Sequence, residues 1–278
     1  MNPCAKSADF HLAFIGVGPM KTASSWLDAV LRQHPETYLP KGVKETFFLT
    51  KRFDRGWAWY EHYFADRQPK QQCGEIAPTL FRDPKARRRL LKTFPEARII
   101  ISLRDPVERT YSHFLHSRAK GRVPDNFFKA LKIQPSILDA GRYHLYAPNW
   151  ERDFSPEKIY YLFSEDVAKE PVTTAQQIFR FLELDQITIS TVTKQVGAGM
   201  DARSTYVSRY SRKVSRSLRS MHLDGLVNIL KQFGGHKLLY KKRVEAPMPK
   251  QIRQFLEKEH ERDCLFYNQR YTAQKSVD

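Results

Sequence analysis

Cysteine is scarce in this sequence, and the few cysteines form no pattern. Cys4, Cys73 and Cys264 are the three cysteines among 278 residues, and their spacing matches neither a disulfide framework nor a zinc cluster. Long apolar stretches are missing as well, because no run reaches the roughly 18 residues that a membrane-spanning helix needs. Residues 1–9 lack the apolar core of a secretory signal peptide. We therefore expect a chain of the reducing cytoplasm without a transmembrane segment.

Acidic residues are also in short supply. The sequence has 30 aspartates and glutamates against 47 lysines and arginines, which gives a formal net charge of +17. Such an excess indicates an anionic partner. The basic residues are spread among aromatic and acidic ones, however, and no zinc-finger spacing or RNA-binding signature occurs. We therefore expect a site for a small polyanion and no nucleic acid as partner, while solvated surface accounts for the remaining positive charge.

The length and composition fit one large folded unit. A chain of 278 residues with 41% hydrophobic and 28% charged residues is long enough to bury a sizeable core. Repeats, low-complexity tracts and interdomain linkers are not apparent in the sequence. We therefore expect a single domain over residues 1–278, with its core at about 10–270.

The stretch from Leu12 to Leu31 has the order of a phosphate-binding loop. An apolar run that ends at Val17 predicts a strand, glycines and a proline predict a tight turn, and a helical pattern follows. The first amides of such a helix lack intrahelical acceptors and bind anions, and Lys21 adds a positive charge. Met20 precedes this lysine, which departs from the Gly-Lys-Ser/Thr order of nucleoside-triphosphate loops. Three residues with hydroxyl groups follow the lysine: Thr22, Ser24 and Ser25.

A second anion-binding element is predicted around Arg104. Residues 99–103 form a short apolar run that predicts a buried parallel strand. Asp105 fits the N-cap of the next helix, and Glu108 fits the return half of a capping box. Arg104 then lies at the end of the strand, and Ser112 lies about two turns into the helix. We expect both to reach one phosphate at the carboxyl edge of the sheet, where ligands of open α/β sheets bind.

A carboxylate that precedes two aromatic residues is a candidate general base. Glu45 follows Lys44 and stands shortly before Phe47 and Phe48. A carboxylate beside aromatic walls has its pKa raised toward the working pH, which suits it to take a proton from a hydroxyl group. The alternative is a surface ion pair of Lys44 and Glu45 beside a buried aromatic pair.

The loop resembles that of the sulfotransferases that use 3′-phosphoadenosine 5′-phosphosulfate (PAPS). Residues 21–27 are similar to the family's Lys-x-Gly-Thr/Ser-Thr/Ser-x-Leu pattern. Ala23 stands where the family usually has glycine, a change that is tolerable if this residue is already helical. The resemblance implies that Lys21 neutralises the charge that develops on the leaving phosphate. It also implies that six residues hold the 5′-phosphosulfate: Lys21, Thr22, Ala23, Ser24, Ser25 and Trp26.

Two further segments resemble the family's 3′-phosphate site. The segment from Arg104 to Ser112 is similar to its motif Arg-(Asp/Asn)-Pro-x-x-Arg-x-x-Ser, which implies that both of these residues bind the 3′-phosphate. Ala202-Arg203-Ser204 matches part of a late loop that closes over the nucleotide. The resemblance therefore implies Arg203 as a second contact of the 3′-phosphate.

The acceptor side is similar to the same family. Lys44-Glu45 and the aromatic pair after it resemble a Lys-Glu-x-x-Phe-Phe element, in which the glutamate is the general base. The resemblance implies this role for Glu45, and Lys44 would orient the cleft or meet an anionic acceptor. Residues 74–78 resemble a Gly-Glu-x-Ser/Thr-Pro element of the acceptor cleft, but Ala77 replaces its hydroxyl residue. If Glu45 is not the base, Glu75 or a histidine is the next candidate.

By this resemblance we expect an α/β domain of three layers, with a parallel sheet and a P-loop-like 5′-phosphosulfate loop. The implied reaction moves the sulfuryl group of PAPS in line to a hydroxyl acceptor and releases 3′-phosphoadenosine 5′-phosphate (PAP), with no metal ion. The acceptor is a small molecule, a glycan or a lipid, and an anionic acceptor fits the positive charge. Neither its identity nor the oligomeric state follows from the sequence.

Two alternatives stay open. A P-loop kinase of small molecules would share the fold, but it normally needs an aspartate and Mg²⁺ to bridge phosphates. Here the strand that ends at Leu103 delivers an arginine before Asp105. A non-catalytic basic protein that binds anions is the other alternative, and Glu45 in the cleft argues against it.

Overall fold

A computed structural model of the chain describes residues 6–189, 200–202, 240–242 and 247–277. These residues divide into two compact units. The first unit lies within Met1–Arg109, Ala140–Val196 and His260–Asp278, and the second lies within Thr110–Asp139 and Gly197–Glu259. The single domain that we expect from the sequence stays a prediction.

The first unit is built on a parallel sheet with the strand order β2-β3-β1-β4-β5. Short apolar runs form its strands because a parallel sheet is buried on both faces. Strand β1 lies at the centre and pairs with β3 and β4. The predicted α/β fold with a parallel sheet is confirmed. The strands are β1 (Phe14–Val17), β2 (Thr37–Tyr38), β3 (Gln72–Ile76), β4 (Arg98–Leu103) and β5 (Ile159–Phe163).

Helices connect the strands and continue beyond them. Over the parts of the chain that the structure describes, no helix is both long and apolar enough to cross a membrane. In chain order the helices are α1 (Ser24–Leu31), α2 (Phe48–Lys51), α3 (Trp57–Glu61), α4 (Pro84–Thr93), α5 (Pro106–Ala119), α6 (Phe127–Ile133), α7 (Ser136–Asp139), α8 (Tyr143–Asp153), α9 (Ser164–Lys169), α10 (Pro171–Phe181), α11 (Lys250–Glu259) and α12 (Glu261–Val277). Short 3₁₀ turns lie at Phe53–Arg55, His62–Phe64, Pro78–Arg82 and Pro156–Lys158.

Two apolar cores lie on opposite faces of the sheet in the first unit, because successive side chains of a strand point to opposite sides. Ile99 and Ile101 belong to the first core, which also contains residues of α2, α3, α4, α8 and α12. Ile100 belongs to the second core, to which α1 and α10 contribute. Helices, sheet and helices therefore form the three layers that the sequence predicts.

The second unit contains most of α5, together with α6, α7 and α11. Strands β6 (Met200–Ala202) and β7 (Tyr240–Lys242) pair there in antiparallel order. Phe127 of α6 packs against Phe114 and Phe255, with ring centroids 5.2 and 6.3 Å apart. A small aromatic cluster thus joins the helices of this unit.

Candidate active site

The loop between β1 and α1 is held against strand β4. Gly18 has a φ of 133°, and a Cβ there would overlap the backbone and the hydroxyl of Ser102 on β4. The Ser102 hydroxyl donates to the Val17 carbonyl at 3.1 Å and lies 2.8 Å from the Thr22 hydroxyl. Glycine is therefore needed for this close approach, which fixes the loop at the carboxyl edge of the sheet.

Two of the six residues predicted to hold the phosphosulfate have buried side chains. Thr22 is 0% exposed, and its hydroxyl donates to the Pro19 carbonyl at 2.8 Å. Trp26 is buried in the second core, and its amide donates to the Ala23 carbonyl at 2.9 Å. The side chains of Thr22 and Trp26 therefore support the loop and the helix from within. The predicted contacts of these two residues with the cofactor stay predictions.

The condition under which alanine at position 23 is tolerable, that this residue is already helical, is not met. Ala23 is the N-cap of α1 with a φ of 64°, and Lys21 has a φ of 79°, so both lie in the left-handed region. The left-handed backbone at these two residues lets the chain turn from the loop into the helix within a few residues. A Cβ in this region costs roughly 1–2 kcal/mol. Ala23 therefore carries strain that the glycine of the similar motif avoids.

Lys44 reaches the start of α1. Its Nζ donates to Ser24 Oγ at 3.0 Å and to Ser25 Oγ at 3.2 Å. Burial lowers the pKa of the Lys44 ammonium, whereas the charges of Asp28 and Glu45 raise it. These contacts place the Lys44 ammonium at the predicted phosphosulfate loop, where the first amides of the helix also favour an anion. The role of Lys44 toward the acceptor stays a prediction.

Glu45 is half-buried, and its carboxylate is bound by Thr79. Oε1 accepts from the Thr79 amide at 3.1 Å and also from the Thr79 hydroxyl. Burial raises the pKa of Glu45 to about 7, although the two bonds from Thr79 lower it, and nearby Glu75 raises it further. Thr79, two residues after Ala77, thus binds the candidate base through its amide and its hydroxyl, a contact that the sequence did not reveal.

A second carboxylate, that of Glu75 on β3, is buried beside the segment that carries Glu45. Oε1 accepts from the Thr46 amide at 2.6 Å and the Thr46 hydroxyl at 2.8 Å, and Oε2 accepts from the Tyr60 hydroxyl at 2.8 Å. Because Thr46 follows Glu45 directly, these bonds fix the backbone that carries Glu45. Burial raises the pKa of Glu75. A glutamate in the interior of a short strand, between Gly74 and Ile76, was the signal that could have indicated this role.

Arg104 directly follows β4, as predicted, and Asp105 caps α5. The Glu108 amide donates to Asp105 Oδ1 at 2.9 Å, and the Arg109 amide donates to the Asp105 carbonyl at 2.8 Å. The Asp105 amide donates in turn to Glu165 Oε1 at 3.0 Å, a partner that the local sequence does not reveal. Arg104 is half-buried, and its guanidinium makes no hydrogen bond or ion pair with the residues that the structure describes.

Two predicted contacts of the 3′-phosphate stay predictions. Ser112 is a half-buried residue of α5 and belongs to the second unit. Arg203 lies outside the described residues, as does Ser204. The roles of Ser112 and Arg203 therefore rest on the sequence motifs alone.

The chain is similar to a known protein family. A family model described as "Sulfotransferase family" matches residues 57–188. The predicted resemblance to the sulfotransferases is confirmed. The matched segment includes Glu75, Thr79, Arg104 and Glu165, while the sulfotransferase-like loop and Glu45 precede it.

Individual sulfotransferases support the similarity. The bifunctional heparan sulfate N-deacetylase/N-sulfotransferase 1 of Caenorhabditis elegans is 25% identical over 259 residues, which are 87% of this chain and 27% of that protein. Heparan sulfate glucosamine 3-O-sulfotransferase 6 of Mus musculus is 26% identical over 181 residues, which are 62% of this chain and 52% of that protein. The crystal structure of a sulfotransferase from Alicyclobacillus acidocaldarius has a TM-score of 0.60 at 19% identity, over 79% of this chain and 96% of that one.

At 19% identity, the similarity to the crystal structure shows a shared fold and nothing further. Across three of the N-deacetylase/N-sulfotransferase relatives, the chain spans 23–27% of their length. These relatives therefore contain large regions that have no counterpart in this chain.

The left-handed N-cap generates a prediction about stability. Ala23→Gly should raise the free energy of unfolding by about 0.5–1 kcal/mol, because the relief of left-handed strain exceeds the added entropy of the unfolded chain. Urea unfolding measures the change. Ala29→Gly, inside the same helix, is the matched control and should lower the free energy of unfolding by about 1 kcal/mol. Equal destabilisation by both variants would contradict the strain at Ala23.

Proposed function

We propose that this chain is a PAPS-dependent sulfotransferase that moves a sulfuryl group to an acceptor hydroxyl. The observation that carries the proposal is the placement of two neighbouring residues. Lys44 bonds to Ser24 and Ser25 at the start of α1. Glu45, the next residue, presents a carboxylate whose pKa is raised to about 7 by burial. A cation for the donor and a base for the acceptor are thus adjacent in the chain.

The residues at the carboxyl edge of the sheet fit PAPS as the donor. The first turn of α1 offers amides together with the hydroxyls of Ser24 and Ser25. Lys21 and Lys44 add positive charge, which completes a donor set suited to a phosphosulfate. Arg104, at the end of β4, is the proposed ligand of the 3′-phosphate. When bound, PAPS supplies a sulfuryl group that is activated by a phosphate leaving group.

Glu45 takes the proton of the acceptor hydroxyl as the acceptor oxygen forms its bond to sulfur. The bond between sulfur and the bridging oxygen of the phosphosulfate breaks on the opposite side, and PAP leaves. Lys21, Lys44 and the amides of α1 stabilise the negative charge that collects on the leaving phosphate. Glu45 then releases its proton to solvent and is again a carboxylate.

The proposal for the acceptor rests on the names of the related proteins and on the net charge of this chain. The relatives are named as heparan sulfate N- and 3-O-sulfotransferases, which favours a glycan, and a small molecule or a lipid with a hydroxyl group is the alternative. The net charge of +17 favours an anionic acceptor. Metal independence, the exclusion of nucleic acid as a partner and a cytoplasmic location stay predictions.

A comparison of two labelled donors tests the proposed reaction. The chain is incubated with hydroxyl glycans of different charge and either sulfur-labelled PAPS or ATP that is labelled in its terminal phosphate. We expect transfer from PAPS that survives EDTA, because Lys21, Lys44 and Arg104 already balance the charge of the donor. Transfer from ATP that requires Mg²⁺ would favour the kinase. PAP binding without transfer from either donor would favour a non-catalytic binding protein.

The proposed base generates a prediction about pH. Since Glu45 accepts a proton only as a carboxylate, and burial raises its pKa to about 7, the rate should fall as the pH drops below that value. Glu45→Gln should lower kcat by roughly 10²–10⁴-fold and remove this acidic limb. PAP affinity, measured by calorimetry, should be retained. A variant that keeps more than about a tenth of the wild-type turnover would exclude Glu45 as the base.

Thr79→Val is the companion variant to Glu45→Gln. It removes a hydroxyl that lowers the pKa of Glu45 but leaves the carboxylate in place. The acidic limb of the rate profile should therefore move to higher pH, and turnover at high pH should be retained. Thr79→Ser keeps the hydroxyl, so the acidic limb of its rate profile should lie at the same pH as that of the wild type.

The position of Lys44 predicts that its ammonium contributes to the use of the donor PAPS. Lys44→Met keeps the apolar stem but removes the ammonium that bonds to Ser24 and Ser25. The kcat/KM for PAPS should fall about 10- to 150-fold, the range for hydrogen bonds to charged groups, with little change in the acceptor KM. Lys41→Met, on the same segment but paired with Asp66 at the surface, is the control and should change neither. If Lys44→Met raised only the KM for the acceptor, the result would contradict a role at the donor and support the predicted role of Lys44 at the acceptor.

A further inference from the structure

We propose that Glu165 and Tyr267 are positioning residues for Arg104 and set the preference of the site for a nucleotide with a 3′-phosphate. The inference rests on the proposed function, in which Arg104 binds that phosphate. Neither Glu165 nor Tyr267 belongs to a motif that the sequence predicts to contact the cofactor. Both act through the backbone that carries Arg104.

The peptide group that joins Arg104 to Asp105 is held from both of its ends. Its carbonyl, which belongs to Arg104, accepts from the Tyr143 hydroxyl at 2.9 Å. Its amide, which belongs to Asp105, donates to Glu165 Oε1 at 3.0 Å. Two side chains from other parts of the fold therefore fix the orientation of this one peptide plane.

Glu165 is itself held by the helix α12. Its Oε2 accepts from the Tyr267 hydroxyl at 2.7 Å and from the Ser164 hydroxyl at 3.2 Å. Tyr267 is buried, and burial together with the bond to Glu165 raises the pKa of its hydroxyl, which keeps the hydroxyl a donor. The carboxylate is thus bound at both oxygens, one by the backbone after Arg104 and the other by α12.

This arrangement determines where the guanidinium of Arg104 lies. A hydrogen bond between an amide and a carboxylate is stronger and shorter than a neutral one, so loss of Tyr267 as donor loosens the carboxylate and then the peptide plane. Arg104 is a long side chain, and a small rotation of its peptide displaces the charged end by more than it displaces the backbone. The affinity for the 3′-phosphate should therefore depend on a hydroxyl that never touches the nucleotide.

The helix α12 provides a matched control. Tyr271 lies one turn beyond Tyr267, stacks on it at 5.9 Å and donates to Asp166 Oδ1 at 2.9 Å. Its bond is of the same kind, a tyrosine hydroxyl to a carboxylate, but Asp166 does not accept from the Asp105 amide. Tyr271→Phe and Tyr267→Phe each remove one hydroxyl of this helix and keep the ring, so both should affect its docking similarly.

Calorimetric titrations with PAP and with adenosine 5′-monophosphate test the inference. Tyr267→Phe should weaken PAP binding about 3- to 10-fold and leave the binding of the monophosphate unchanged. The loss is smaller than that for a hydrogen bond made directly to a charged ligand, because Tyr267 acts through the peptide after Arg104. Tyr271→Phe should change neither affinity. Glu165→Gln, which retains an acceptor for the Asp105 amide, should lose less PAP affinity than Glu165→Ala. Thermal unfolding of every variant verifies that it is folded.

The outcomes separate this inference from the proposed function. A wild-type chain that binds PAP and the monophosphate equally well would contradict the 3′-phosphate site itself. A wild type that prefers PAP, and loses this preference in Arg104→Ala but not in Tyr267→Phe, would overturn only the role of Tyr267. Equal losses for both nucleotides in Tyr267→Phe, or the same loss in Tyr271→Phe, would show that the tyrosine stabilises the fold alone.

Discussion

The parallel pairing of β3, β1 and β4 is the constraint on which the candidate site depends. Parallel strands end at the same edge of a sheet, so the segments that follow them come together there. After β1 comes the loop at 18–23, after β3 comes Thr79, and after β4 comes Arg104. The register is strongly specified because a shift by one residue would exchange the two buried faces of a strand. One pairing pattern thus brings an anion loop, a partner of the base and an arginine to one edge.

Two glutamates, the buried Glu75 and the half-buried Glu165, fix main-chain segments at this edge. Glu75 and Glu165 each accept a main-chain amide on Oε1 and a tyrosine hydroxyl on Oε2. The two amides belong to the residues directly after Glu45 and Arg104. Burying a carboxylate is costly unless it is fully hydrogen-bonded, and here the same bonds that offset this cost also fix the backbone next to a proposed site residue. Burial and positioning are therefore achieved by one set of contacts.

The sequence predicted those features that depend on neighbouring residues. The strands β1 and β4, the cap at Asp105 and the place of Arg104 follow from apolar runs and turn chemistry within a few positions. The contact between the Thr22 and Ser102 hydroxyls could not be predicted, because the two residues are 80 positions apart. The donors Thr46 and Tyr60 lie 29 and 15 positions from Glu75. The Asp105 amide and the Tyr267 hydroxyl lie 60 and 102 positions from Glu165. The left-handed backbone of Ala23 could not be predicted for a different reason, since an alanine side chain gives no indication of such a conformation.

The distances along the chain between the partners of Glu165 have a consequence for folding. Tyr267 is 102 residues from Glu165, and Asp105 is 60 residues from it. Contacts this remote close large loops and are formed after local structure. A chain that has built its sheet but has not docked α12 would already have the loop after β1, while the peptide after Arg104 is still unrestrained. A nucleotide with both phosphates would then bind the finished fold best and stabilise it by mass action, so the ligand itself would favour completion of folding.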